Sequence, residues 1–351
     1  MEKIKTGLAA FGMSGKIFHA PFIVNNPNFE LTTIVERSKT LSKEEYPKAT
    51  IVKSFDELIQ DKDLELIVVN TPNNTHYEFC KKALLADKHV VVEKPFTTNI
   101  EEGDELLSIA KKQNKMLSVY QNRRWDSNFL TTKEIIDKGL IGKIVEFEAT
   151  IPRFRNYVKP NSWKEETDSN GGLIYDLGAH LIDHALQLFG MPEAVYADTG
   201  KFRENTQNED YFIIHLINSE KNPDVKITLK ASYLMLEPEP QFLVHGMNGS
   251  YIVYSFDRQE SDLNKGLRPN NPNWGVMDKK DWGFLHIEKD GVATREPYPS
   301  KRGNYGEFYQ NIYEHLRLNK PLLTDANEVH KMTHVIEAAY RSANEKKVIT
   351  L

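Results

Sequence analysis

From residue 4 to about 120, short β-branched and aliphatic runs alternate with amphipathic helical stretches, and no other feature of the chain limits its fold as strongly. Strands are predicted at 4–10, 31–35, 66–70, 89–92 and 116–120, with helices between them such as 75–86 and 100–113. Strands separated by helices pair through crossovers, which makes a parallel sheet with helices on its faces. Five strands in that rhythm predict a doubly wound, nucleotide-binding sheet. Past Arg124 the pattern changes to a helix at 129–138 and longer β-rich runs at 143–149, 211–216 and 225–232. Runs at 242–244 and 251–254 flank Asn248-Gly249, a pair suited to a hairpin turn with positive φ. Together they predict a second, largely antiparallel sheet. Segment 264–281, rich in Gly, Pro and Asn, is expected to be a surface loop, and 305–318 and 326–342 are expected to be helical.

A chain of 351 residues exceeds what one core usually serves, so two domains are expected, 1–122 and 123–351, with the C-terminal helices as candidates to return to the first. A formal net charge of −5 with no basic block excludes a general nucleic-acid binder. The single cysteine, Cys80, cannot form an internal disulfide, which fits a reducing compartment. The apolar run near the start is broken by Gly7, Gly12 and Gly15, unlike a signal peptide, and no apolar stretch is long enough to span a membrane. A cytoplasmic location is the expectation.

The first strand leads into Gly7-Leu8-Ala9-Ala10-Phe11-Gly12-Met13-Ser14-Gly15, where Ala10, Gly12 and Gly15 take the small positions of a dinucleotide fingerprint. Small residues let the backbone approach a pyrophosphate, and the following helix presents free N–H groups and its positive dipole end to that anion. Ala10 departs from the usual first glycine. The second strand ends about twenty residues on in Glu36-Arg37-Ser38, where the adenosine ribose is read. An acid there suits the ribose diol of NAD, whereas Arg and Ser suit the 2′-phosphate of NADP. NADP(H) is favoured, because Glu36 can turn aside while Arg37, Ser38 and Lys39 supply donors; NAD(H) stays open. A further loop, Asn70-Thr71-Pro72-Asn73-Asn74-Thr75-His76, lies at the carboxyl edge of the sheet, as a cofactor contact or as a helix start capped by Asn74 or Thr75.

Val92-Glu93-Lys94-Pro95 ends a buried-looking strand in charge at the same edge, where a lysine can reach a substrate hydroxyl and the nicotinamide ribose. The second polar cluster is Gly171-Gly172-Leu173-Ile174-Tyr175-Asp176-Leu177-Gly178-Ala179-His180-Leu181-Ile182-Asp183-His184. Asp176 and His180 stand one helical turn apart, so the carboxylate can hold the imidazole's tautomer and raise its basicity for proton transfer. Asp176, His180 and His184 also recur at metal-ligand spacing, but with no thiolate nearby, proton transfer ranks above a metal and none is assigned. Asp183 and His184 are read as residues that satisfy groups on a buried helix.

Taken together, Gly7 to Gly12, Glu93-Lys94-Pro95, Asp176-Leu177-Gly178-Ala179-His180 and the C-terminal helices resemble the Gfo/Idh/MocA oxidoreductases. Ser14-Gly15-Lys16-Ile17-Phe18-His19-Ala20-Pro21-Phe22 and Asn122-Arg123-Arg124-Trp125-Asp126-Ser127-Asn128-Phe129-Leu130 are similar to the branch with NADP-dependent scyllo-inositol dehydrogenases. The resemblance implies an N-terminal Rossmann domain, a C-terminal α/β domain with a large open sheet, and a homodimer or homotetramer formed through that sheet. It implies hydride transfer between a nicotinamide and a secondary alcohol or ketone carbon of a sugar or inositol-type polyol, with no nucleic-acid or membrane partner. Lys94, Asp176 and His180 would be the catalytic set. Cofactor contacts would come from Ala10, Phe11, Gly12, Met13, Ser14, Gly15, Glu36, Arg37, Ser38, Asn70, Thr71, Pro72, Asn73, His76, Glu93, Lys94, Asn122, Arg123 and Trp163. Substrate contacts would come from Lys94, Trp125, Asp126, Tyr157, Asp176 and His180. Two departures are Ala10 and the pair Trp163-Lys164, where many members have Trp-Arg. A cis Lys94-Pro95 bond is expected from the same resemblance. A dinucleotide-binding sensor without catalysis and a metal-dependent enzyme are the rival readings.

Overall fold

The structure is a computed structural model that describes residues 2–160, 162, 165 and 171–351. The chain divides into two compact units, one of Met1–Asn122, Gln259–Trp274 and Asn304–His330, the other of Arg123–Arg258, Gly275–Gly303 and Lys331–Leu351.

In the first unit, β1 (Ile4–Leu8), β2 (Phe29–Val35), β3 (Thr50–Val52), β4 (Leu66–Val69), β5 (His89–Val92) and β6 (Leu117–Val119) form a parallel sheet in the order 3-2-1-4-5-6. That is the doubly wound order, with its reversal between β1 and β4. Leu66, Ile67, Val68 and Val69 in β4 and Val90, Val91 and Val92 in β5 are fully buried, as befits strands covered on both faces. The sheet has six strands rather than the five expected, because β3 is only Thr-Ile-Val and too short to show a period. The outer strand β6 is not bare: the Thr324 carbonyl accepts from Val119 N at 3.0 Å and from Ser118 Oγ at 3.0 Å.

Two further expectations are corrected in this unit. The stretch 264–281 is not simply a surface loop, since Trp274 is buried and its ring meets Phe22 at 5.9 Å. Neither Asn74 nor Thr75 caps by its side chain; Asn73–Thr75 is a 3₁₀ turn, and Thr75 Oγ1 donates back to the Pro72 carbonyl at 2.7 Å before helix His76–Leu85 begins.

The second unit is built on a nine-stranded sheet, among whose strands are β7 (Ile144–Pro152), β8 (Pro192–Gly200), β9 (Tyr211–Ser219), β10 (Lys226–Ser232), β11 (Phe242–Gly246), β12 (Gly249–Val253), β13 (Phe284–Lys289), β14 (Val292–Pro297) and β15 (Ile349–Thr350), in the order 14-13-12-11-7-10-9-8-15. Only β7 and β10 run parallel; every other pair is antiparallel. Burial alternates along β9 and β10, so one face is covered by helices. On that side the rings of Phe147, Phe189 and Phe242 meet at 5.2 and 5.9 Å. The β11–β12 hairpin forms as expected, but its turn is Met247-Asn248 and neither residue has positive φ. Gly249 is needed for a different reason: a Cβ there would strike the His286 carbonyl of the adjacent strand β13.

Candidate active site

The turn after β1 is held from outside itself. Asn70, at the end of β4, accepts from Ala10 N at 3.0 Å and donates to Ala10 O at 2.8 Å. Both halves of the Asn70 amide bond the turn and so shape it. A Cβ on Gly15 would run into that same Ala10 carbonyl and the Asn70 amide nitrogen, so this glycine serves close packing. A Cβ on Gly12 would meet no protein atom within 4 Å. Nothing in the chain's own packing requires Gly12; its smallness fits close approach of a pyrophosphate, as in dinucleotide turns. Met13 is exposed, Phe11 packs edge-on against Tyr46 at 5.9 Å, and the helix that follows contains one π turn, Gly15–His19.

At the end of β2, Glu36 is buried. Its carboxylate accepts from Leu41 N at 3.0 Å, Ser42 N at 3.1 Å and Ser42 Oγ at 2.8 Å. It thereby ties down the start of the next segment. Arg37, Ser38 and Lys39 are exposed, and their side chains make no hydrogen bond or ion pair among the described residues.

His76 is fully buried, with Nδ1 2.8 Å from the Pro95 carbonyl and Nε2 3.0 Å from the Thr71 carbonyl. It braces the loops after β4 and β5. Thr71 Oγ1 lies 2.6 Å from Thr75 Oγ1, Pro72 is exposed, and Asn73 is half-buried. The Lys94-Pro95 bond is cis.

The Glu93 carboxylate receives the Ser14 hydroxyl on Oε1, His19 Nε2 at 3.0 Å on the same oxygen, and Lys94 N at 3.2 Å on Oε2. Burial alone would raise its pKa, but His19, Ser14 and the Lys94 charge bring it down to about 2. Glu93 is thus an anion held by three donors of the protein, one of them the Ser14 hydroxyl of the turn after β1.

The second unit carries Asp176 and His180 on one continuous helical stretch: a π turn, Ile174–Gly178, followed by helix Ala179–Phe189. Asp176 therefore sits in a widened turn, not in the α-helical turn expected, and π turns recur at functional sites. Glu209 anchors the start of this stretch, accepting from Ile174 N at 3.0 Å and from the Tyr340 hydroxyl at 2.6 Å. A Cβ on Gly172 would strike its carboxylate. The Tyr233 hydroxyl lies 3.5 Å from Asp176 Oδ2, and the Tyr233 ring is flanked by the guanidinium groups of Arg155 at 4.2 Å and Arg203 at 4.6 Å. His180 is buried, 5 % exposed.

Asp183 accepts a bidentate pair from Arg124 at 2.8 and 2.6 Å. His184 Nε2 bonds the Arg123 carbonyl at 3.1 Å while its ring stacks on Phe129 at 4.1 Å. These are the supporting roles expected for Asp183 and His184. Asp126 is fully buried and pairs with Arg123 at 3.5 Å; Trp125 is half-buried, Asn122 is buried, and Tyr157 is 60 % exposed. Trp163 and Lys164 lie outside the described residues. Sequence reasoning missed the contacts of His19 with Glu93 and, in the second unit, of Tyr233 with Asp176 and Glu209 with Ile174, because each spans a long stretch of chain.

Residues 4–121 match the family model described as the NAD-binding Rossmann fold of the Gfo/Idh/MocA oxidoreductases, and residues 133–351 match that family's C-terminal alpha/beta domain. The chain belongs to the Gfo/Idh/MocA oxidoreductase family. Its relatives include the scyllo-inositol 2-dehydrogenase (NADP(+)) IolW of Bacillus subtilis, 34% identical over 100% of this chain and 97% of that one. The oxidoreductase YdgJ of Escherichia coli is 36% identical, over 100% and 99%. A solved structure from Bacteroides fragilis is 56% identical over the whole of both chains, with a TM-score of 0.93. As in the family, this chain is an oxidoreductase with a nicotinamide-binding domain. Among the described residues no helix is long and apolar enough to cross a membrane.

Proposed function

We propose that this oxidoreductase uses NADP(H) to interconvert a secondary alcohol and a ketone on a cyclic polyol or sugar. The observation that carries the cofactor choice is at the end of β2. Glu36, the acid that would accept from an unphosphorylated ribose, is filled by Leu41 and Ser42, while Arg37, Ser38 and Lys39 stand exposed as donors for a 2′-phosphate. The substrate class is supported by the likeness to IolW, named for an inositol and NADP(+).

The nicotinamide, when bound, takes or returns the hydride. In the oxidative direction Lys94 orients and polarises the reacting oxygen, and His180 accepts the hydroxyl proton as the C–H bond is lost. Asp176 keeps that imidazole in its working tautomer. Tyr233, pinned between two arginines, in turn steadies the Asp176 carboxylate.

The test is absorbance at the NADPH band with a panel of keto-inositols and ketoses. Turnover with NADPH preferred at least about tenfold over NADH is expected, with kcat falling roughly 10²–10⁴-fold in Lys94→Ala and His180→Ala. Tight cofactor binding without turnover on any member of the panel would instead support the sensor reading. Preference for NADH would overturn the cofactor assignment.

A further inference from the structure

His19 is fully buried, and both its ring nitrogens are engaged. Nδ1 lies 2.7 Å from the Tyr309 hydroxyl, and Nε2 lies 3.0 Å from Glu93 Oε1. A carboxylate only accepts, so Nε2 carries a proton toward Glu93. The other ring nitrogen shares its hydrogen bond with the Tyr309 hydroxyl. The bonds thus link Tyr309 on helix Gly306–Leu318, through His19 on the π turn, to Glu93 beyond β5. The ring of Tyr120 closes over the imidazole at 4.3 Å.

Glu93 is where this chain of bonds meets the active site. Its Oε1 also takes the Ser14 hydroxyl from the glycine turn, and its Oε2 takes the backbone N–H of Lys94. Bonds from His19, Ser14 and the Lys94 amide hold this carboxylate in place, and with it the backbone from which the Lys94 side chain departs.

We propose that His19, oriented by Tyr309, is a positioning residue for Lys94: it locks the Glu93 carboxylate between the pyrophosphate turn and the lysine. The proposal rests on the dehydrogenase reading for its kinetic consequence, but not for the linkage between the two loops.

His19→Leu removes both bonds. His19→Gln keeps one donor and one acceptor, and Tyr309→Phe removes only the orienting bond. In His19→Leu, kcat is expected to fall roughly 10–100-fold, with a larger primary isotope effect from deuterated NADPH. The NADPH Kd, read by fluorescence titration, should change less than about threefold. His19→Gln should recover most of the rate and Tyr309→Phe should fall between. On the ligand-free protein, amide exchange in peptides covering 11–16 and 93–97 should accelerate together by about tenfold or more, while β1 and β4 keep their protection. Wild-type kcat in His19→Leu, a loss confined to cofactor affinity, or faster exchange across the whole sheet would each overturn the proposal. If the wild-type protein turns over no polyol or ketose, the dehydrogenase reading fails alone, and paired or unpaired exchange of the two peptides still decides the linkage.

Discussion

Replacing Arg37 by alanine should separate the two nicotinamide cofactors. Arg37 is exposed and its side chain has no partner among the described residues, so its removal costs the fold little, within about 0.5 kcal/mol. Its value lies in a charge-assisted bond to a 2′-phosphate, worth roughly 1.5–3 kcal/mol, or roughly 10- to 150-fold in affinity. Exposure to water places the expectation at the lower end, about 10- to 30-fold weaker NADPH binding. NADH has no phosphate for Arg37 to hold, so its Kd should move less than about twofold. Fluorescence titrations of both cofactors at fixed ionic strength read the difference. Repeating them near 1 M salt, where screening acts over about 3 Å, should shrink the gap between wild type and variant. Equal weakening of both cofactors, or a change under about threefold for NADPH, would refute the reasoning and place the phosphate elsewhere.

Asp183→Ala leaves the Arg124 guanidinium buried without its bidentate acceptor and should cost about 3–5 kcal/mol in urea unfolding; a cost below about 1 kcal/mol would show that the pair is solvated. Gly15→Ala should lower stability by roughly 1–3 kcal/mol through its clash with Ala10, whereas Gly12→Ala should keep stability and weaken cofactor binding. The opposite pattern would invert the roles given to the two glycines. Burial holds the His184 imidazole down at about 4, so the folded protein keeps it neutral while the unfolded chain protonates below about 6.5. Its contribution to stability is complete above pH 6.5 and is lost as pH falls toward 4. A His184→Gln variant should show a flatter decline over that window, by up to about 3 kcal/mol, in unfolding measured at pH 7 and pH 4.5. Parallel pH curves for the two proteins would remove His184 from that role.

The parallel sheet was legible because β4 and β5 are unbroken aliphatic runs, which only a doubly covered strand tolerates. The strand β3 is too short to carry a period, and β13 and β14 are too charged and exposed to carry an apolar one. The loop that holds Trp274 looks like surface because Gly, Pro and Asn surround the one residue that is buried. At the candidate site, Lys94, Asp176 and His180 stand out only through the family resemblance, and what the side chains near them face is not legible at all. That the Glu36 carboxylate bonds Ser42 has no signal in the sequence. His19 reads as part of a helix start until the fold brings Glu93 and Tyr309 to its two nitrogens. Both π turns are invisible to helical periodicity because each spans only five residues, too few to show a period of its own.

The nine-stranded sheet ends in β14, every residue of which is exposed. A free strand edge is a template for further strands, and a sheet this wide could extend sideways into a fibre. β14 closes with Arg295, Glu296 and Pro297, and the Arg295 guanidinium covers the Phe284 ring at 4.0 Å. Charge and proline on the margin oppose lateral growth. The opposite margin, β15, has just two residues to offer. Neither margin of this wide sheet therefore offers a long, bare edge on which another chain could continue it.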